Sequence, residues 1–146
     1  MKTIIFIPAR GGSKRLPKKN IKLLAGIPLI AHSILYAQEN QEYIDDIFVS
    51  TDDKEIKEIS LEYGAKVIDR PKKISGDFEP TVSAIKHTLE TNVEYIENII
   101  TLQATNPLRP KNLLKEALAI YKNENHSSLV TVSLNQKKIG HIKNDK

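Results

Sequence analysis

The residues best suited to chemistry lie together near the N-terminus, in the run Pro8-Ala9-Arg10-Gly11-Gly12-Ser13-Lys14-Arg15-Leu16-Pro17-Lys18-Lys19-Asn20. Gly11 and Gly12 allow a close backbone approach to a ligand and positive φ. Successive backbone N–H groups in such a loop can form an anion nest. Arg10, Lys14, Arg15 and Lys19 can surround a polyphosphate with charge-assisted hydrogen bonds. The pattern is not a Walker A loop, whose Gly-Lys-Ser/Thr runs directly into a helix, because Pro17 interrupts it and makes the loop fold back. A solvated basic loop is the plain alternative. The position directly after an apolar run, Thr3 to Ile7, favours a ligand site.

The charge balance points the same way. The chain carries 22 basic and 18 acidic residues, a net of +4. Six of those basic residues fall between Arg10 and Lys22 with no acid among them, leaving 16 basic against 18 acidic in the other 133 residues. One short segment is therefore basic, and it suits a compact anion better than a long polyanion. The absence of Trp and an aromatic content of 5% weaken any base-stacking interface, so no nucleic-acid partner is expected. The lack of Cys excludes disulfides, thiolate metal sites and cysteine nucleophiles. With 40% apolar and 27% charged residues the composition is that of a globular protein, and 146 residues suggest one domain. No apolar run approaches about 18 residues, so no membrane span is expected. The N-terminal apolar run is too short for a signal-peptide core, which points to a cytoplasmic protein.

The elements that must position this loop alternate in type. Thr3–Ile7 reads as a buried strand, Arg10–Ile27 as a long loop, and Pro28 as the first residue of a helix whose inward face carries Ile30, Ile34 and Ala37. Asp46–Ser50 is a second strand, followed by a helix striped by Ile56, Ile59 and Tyr63 that Gly64 ends. Ala65–Ile68 is a third strand, and Val82, Ile85 and Leu89 mark the next helix face. Asn98–Leu102 is a fourth strand. Pro110 opens a helix with Leu113, Leu114, Ala117, Leu118 and Tyr121 inward, and Ser128–Val132 is a fifth strand. The alternation predicts an α/β fold with a mostly parallel sheet and helices on both faces. Four segments would leave the carboxyl ends of its strands, where ligands bind in such sheets: the basic loop, Ser50–Asp53, Asp69–Pro71 and Gln103–Arg109.

Ile7-Pro8-Ala9-Arg10-Gly11-Gly12-Ser13-Lys14, with Leu16-Pro17 and Lys19-Asn20, resembles the N-terminal signature of the acylneuraminate (sialic acid) cytidylyltransferases and their relatives that activate pseudaminic and legionaminic acid. The resemblance continues in Val49-Ser50-Thr51-Asp52, Arg70-Pro71 and Leu102-Gln103 with Thr105 and Pro107-Leu108-Arg109. It implies a three-layer α/β/α nucleotide-diphospho-sugar transferase fold, Rossmann-like. It also implies CTP and a nine-carbon 2-keto sugar acid as partners, Mg²⁺ as cofactor, and a homodimer in the family. By resemblance, Lys19 stabilises charge at the reacting phosphate together with Arg10. Arg10, Gly11, Gly12, Ser13, Lys14 and Asn20 hold the nucleotide, and Arg70 and Thr81 hold its cytidine end. Gln103, Thr105, Asn106 and Arg109 receive the sugar acid.

Two departures bear on this. The family's fourth-strand motif usually reads Leu-Gln-Pro-Thr-Ser-Pro-Leu-Arg, whereas Ala104 and Asn106 stand here, and Asn106 adds bulk and a donor where the sugar is expected. The family is also longer, and its Mg²⁺-binding Asp pair and dimerisation segment have no counterpart here. The expectation is therefore a nucleotide-binding domain over 1–134, a Lys-rich tail over 135–146, and no metal ligands within the chain. A CTP-binding but inactive chain, and a cytidylyltransferase for 3-deoxy-octulosonic acid, are the alternatives.

Other polar residues have plainer readings. Asp52 and Asp53 could be metal ligands, but an Asp at this point more often caps the following helix. Asp77 sits in a Gly-containing loop and reads as a turn residue. His32, His87, His126 and His141 share no ligand spacing, and Asn125-His126-Ser127 reads as an incidental sequon.

Overall fold

The computed structural model describes residues 2–91, 95–124 and 126–134. The Lys-rich tail expected over 135–146 lies outside them. In chain order the elements are β1 (Lys2–Pro8), β2 (Leu23–Leu24), β3 (Ile27–Pro28), α1 (Leu29–Gln38), β4 (Asp46–Thr51), α2 (Lys54–Glu62), β5 (Lys66–Asp69), α3 (Thr81–Thr91), β6 (Ile96–Thr101) and α4 (Leu113–Asn123).

Four strands form one parallel sheet in the order β5-β4-β1-β6. β1 is central, and Ile4, Ile5, Phe6 and Ile7 are all fully buried, which is why its sequence is a continuous apolar run instead of an alternation. The chain steps outward from β1 through β4 to β5, then crosses back to β6 on the other side. Right-handed crossovers put α1 and α2 on one face and α3 on the opposite one. The main core joins Ile5, Ile7 and Val49 of the sheet to Ile30, Ile34 and Ala37 of α1 and Ile56 of α2. α4 joins that face through Leu114, whose N–H donates to Tyr36 Oη of α1 at 3.1 Å.

The inward faces of α1, α2 and α4 match the sequence pattern, but that of α3 does not. Val82 and Leu89 are 64% and 42% exposed, while Ala84 and Thr88 are buried against the sheet. Both sets have helical spacing. The buried pair is the smaller one, and the Thr88 hydroxyl is satisfied by donating to the Ala84 carbonyl at 2.9 Å.

Helix starts also shift. Pro28 precedes α1 as its N-cap residue, and α4 begins at Leu113, after a turn over 110–112. The long basic loop carries a 3₁₀ turn at Lys19–Ile21 and a small β2–β3 hairpin. Ala25 and Gly26 both take positive φ in its two-residue turn, as a type I′ hairpin requires. The fifth strand expected at Ser128–Val132 does not form. Its residues have β propensity but make no ladder hydrogen bonds to β6, and Val130 and Val132 remain exposed. No helix among the described residues is long and apolar enough to cross a membrane.

Candidate active site

Parallel alignment brings the carboxyl ends of β1, β4, β5 and β6 to one edge of the sheet, where the loops converge on a cleft of about 260 Å³. One wall is the basic loop, with Arg10, Ser13, Lys19 and Asn20. The opposite wall is Gly76, Asp77, Glu79 and Thr81, from the segment entering α3. Arg70 and the Gln103–Thr105 turn complete it.

The loop is held from below by carboxylates at the start of α2. The Gly11 N–H donates to Asp52 Oδ1 at 3.0 Å, and Lys18 pairs with Glu55. Asp53 is the N-cap of α2, its Oδ1 accepting from the Ile56 N–H at 2.9 Å. A Cβ on Gly11 would lie 2.8 Å from Asp53 Cβ, so only glycine fits there. The cap expected of the Asp52-Asp53 pair thus belongs to Asp53, while Asp52 anchors the loop.

Neither Gly11 nor Gly12 takes positive φ. The Gly11 N–H is spent on Asp52, and the Ser13 N–H donates to the Gly11 carbonyl at 2.8 Å. The loop's anion-binding capacity therefore rests on side chains and not on a nest of amides. Asn20 is buried and donates from Nδ2 to the Arg10 carbonyl at 3.1 Å, which closes the loop on itself.

Two cations of the loop face a single carboxylate. Arg10 Nη1 lies 2.7 Å from Asp77 Oδ1, and Lys14 pairs with Asp77 Oδ2. The hydrogen bond from Lys14, aided by the charge of Arg10, holds the Asp77 carboxyl below the ordinary Asp value. Lys19 lines the cleft, and no ion pair to it is found among the described residues. Arg70 is buried. It donates from Nε to Ser50 Oγ at 3.0 Å and from Nη2 to the Ser50 carbonyl at 2.8 Å. Burial pulls its pKa down, the negative charge of Asp52 opposes that, and Arg10 adds to it.

The sequence-derived residues Arg10, Ser13, Lys19, Asn20, Arg70, Thr81, Gln103 and Thr105 all meet in this cleft. Gly11, Gly12 and Lys14 belong to the same loop without lining it. Asn106 and Arg109 lie elsewhere, on a groove between β6 and α4. Arg109 turns inward, donating from Nη1 to Ser33 Oγ at 3.1 Å and from Nη2 to the Gln103 carbonyl, over the Tyr36 ring. Burial lowers its pKa, with Tyr36 acting in the opposite sense.

Asp77, which the sequence reading gave only a turn role, and Glu79, which it passed over, are both cleft residues. The available signal was their place before the helix that follows the third strand. Asp77 is a partner of the basic loop as well as a turn residue. Among the described residues no group of three or more His, Asp or Glu side chains could hold a metal ion. Of the carboxylates around the basic loop, Asp77 is held by Arg10 and Lys14, Asp52 by the Gly11 N–H, Asp53 by the Ile56 N–H and Glu55 by Lys18, which leaves Glu79 as a single carboxylate in the cleft, so these residues do not by themselves fit Mg²⁺.

Comparison with known proteins places this cleft in context. The chain is 44% identical over 121 residues to a pseudaminic acid cytidylyltransferase of Campylobacter jejuni, covering 80% of this chain and 52% of the relative. It is 38% identical over 140 residues to the CMP-N,N'-diacetyllegionaminic acid synthase of Legionella pneumophila, covering 91% and 58%. The chain thus spans about half the length of these curated relatives. A solved CMP:2-keto-3-deoxy-manno-octonic acid synthetase complexed with CTP superimposes with a TM-score of 0.70 at 25% identity, over 86% of this chain and 49% of that one. A family profile described as cytidylyltransferase matches residues 4–146. The motifs at the strand ends, the parallel α/β fold and that near-complete match agree: the chain belongs to the cytidylyltransferase family.

Proposed function

We propose that the cleft binds CTP and that the chain takes part in transferring CMP to a nine-carbon 2-keto sugar acid of the pseudaminic, legionaminic or sialic acid type. The observation that carries this reading is the meeting of Arg10, Lys19, Asn20 and Arg70 in one cleft at the carboxyl ends of the parallel strands. In the reaction the sugar's anomeric hydroxyl attacks the α-phosphorus, a new P–O bond forms, and the bond to the β-phosphate oxygen breaks. Pyrophosphate leaves with that electron pair, and the hydroxyl proton passes to solvent. Such a transfer depends on positioning and on neutralising charge at the phosphates.

Lys19, with no ion pair to break among the described residues, is the group assigned to the charge developing at the reacting phosphate, with Arg10 beside it. Gly11, Gly12, Ser13, Lys14 and Asn20 shape and charge the triphosphate side, while Arg70 and Thr81 line the cytidine side. Gln103 and Thr105 face the cleft from the wall assigned to the sugar acid. Asn106 and Arg109 would act there by setting the shape of the same turn, since Arg109 holds the Gln103 carbonyl. Mg²⁺ is part of the family resemblance, but no step assigned to these residues runs through it. A homodimer and a cytoplasmic location, where CTP is supplied, complete the proposal.

The test is a coupled pyrophosphate-release assay with CTP, Mg²⁺ and each nine-carbon acid in turn, with 3-deoxy-octulosonic acid as comparator. Turnover with a nine-carbon acid, lost in Lys19→Ala at unchanged melting temperature, is the expected result. A CTP-induced rise in melting temperature without turnover would instead support a binding-competent but inactive chain. Failure of CTP to bind at all would overturn the reading.

A further inference from the structure

Two cations of the basic loop already have an anionic partner in this structure, because Asp77 holds both of them. Each carboxylate oxygen takes one of them, Oδ1 with Arg10 and Oδ2 with Lys14. A carboxylate bridging two cations in this way uses them much as a phosphate group would. Asp77 reaches across from the wall opposite the loop, in the segment between β5 and α3. Local bonds shape that segment: the Ser75 N–H donates to the Lys72 carbonyl, Ser75 Oγ donates to the Pro71 carbonyl, and the Glu79 N–H donates to the Gly76 carbonyl. Glu79 lines the same cleft, and no ion pair to it is found among the described residues.

The geometry points to Asp77 as an internal anion that latches the 75–80 segment onto the basic loop and is displaced when a triphosphate enters. This inference rests on reading the cleft as a triphosphate site. A polyphosphate carries more charge than one carboxylate and can engage Arg10, Lys14 and Lys19 together, so it competes with Asp77 for the same donors. The latch therefore weakens nucleotide affinity, and its release frees the opposite wall of the cleft.

The test compares Asp77→Asn with Glu79→Gln, measuring binding of inorganic tripolyphosphate and of CTP by calorimetry. Two exposed ion pairs are lost with Asp77, so its replacement should tighten tripolyphosphate binding by about three- to tenfold. Glu79→Gln removes one charge from the same cleft without touching the latch and should change affinity by less than about twofold. Equal tightening in both variants would mean a general field effect and would overturn the latch. Weaker binding in Asp77→Asn would make Asp77 a contributor to the ligand site, and would overturn it too.

A second measurement needs no variant: amide exchange at Ser75 and Glu79 should speed up when tripolyphosphate saturates the wild-type chain. Slower or unchanged exchange would overturn the displacement. Tightened tripolyphosphate binding without any CTP binding would keep the latch and sink the proposed function. Binding of neither anion by either chain would sink both.

Discussion

Replacing Gly11 with Ala tests how the phosphate-facing loop is seated. The added methyl would lie 2.7 Å from Asp53 Oδ2, 2.8 Å from Asp53 Cβ and 3.1 Å from Asp53 Cγ. Rotating the Asp53 carboxylate relieves the first and third contacts but not the second, because Cβ is fixed by the backbone. The start of α2 must then open, or the loop must lift off. Losing the Asp53 cap costs about 0.5–2 kcal/mol. Losing the Gly11 hydrogen bond to the exposed Asp52 carboxylate costs a comparable amount, about 1–2 kcal/mol. The cheaper route sets the outcome, so Gly11→Ala should cost about 1–2 kcal/mol. For a chain of this size that is a fall of roughly 3–6 °C in melting temperature.

Asp53→Gly alone should cost only a few tenths of a kcal/mol, since Gly is tolerated at N-caps, at about that cost. It also removes the obstructing Cβ. The double variant should therefore be about as stable as Asp53→Gly, a non-additivity of about 1 kcal/mol or more between touching residues. Urea titration and calorimetry of the four chains read this directly. Wild-type stability in Gly11→Ala, or simple additivity in the double variant, would refute the packing argument.

Three further outcomes follow from particular contacts. Tyr36→Phe removes the acceptor of the Leu114 N–H and the donor to the Pro110 carbonyl, so stability should fall by about 1–2 kcal/mol, with faster exchange at the Leu114 amide; protection unchanged at Leu114 would refute it. Arg109→Ala loses bonds to Ser33 and Gln103 and should cost about 1–3 kcal/mol while CTP affinity stays within about twofold; lost affinity at full stability would refute the structural assignment. Asp46 lies between Lys2 and Lys66 at 2.7 and 2.6 Å; burial alone would raise its pKa, but these hydrogen bonds outweigh that and hold it low. With the folded pKa below the unfolded value of about 3.9, its contribution is present above that pH and lost as pH falls through the folded pKa. Asp46→Asn should flatten the acid limb of the stability curve, and an unchanged limb below about pH 4 would refute it.

Much of the fold was legible because burial leaves a periodic trace. The doubly buried β1 reads as Ile4–Ile7 without alternation, and α1, α2 and α4 each show one apolar stripe that the structure turns inward. α3 misled because two helical faces compete, and the face that is buried carries the smaller pair, Ala84 and Thr88. Ser128–Val132 misled because β propensity describes a surface that must still find a ladder partner.

By itself the sequence determined the chemistry on offer: a cationic Gly-containing loop after a buried strand, with polar segments after three more strands. It also carried the resemblance to the family, through those motifs taken in order, which the comparisons then bore out. Their convergence was decided only by the parallel sheet order, which brings the carboxyl ends of β1, β4, β5 and β6 to one edge. The tertiary structure alone showed which charges are committed. Asp77 pairs with both Arg10 and Lys14, Glu55 takes Lys18, and Arg109 is drawn inward by Ser33 and Gln103, while Lys19 faces the cleft. The reason is physical: residue type sets a charge, but its availability depends on neighbours that can lie far along the chain, 37 positions for Lys18 and Glu55 and 76 for Arg109 and Ser33.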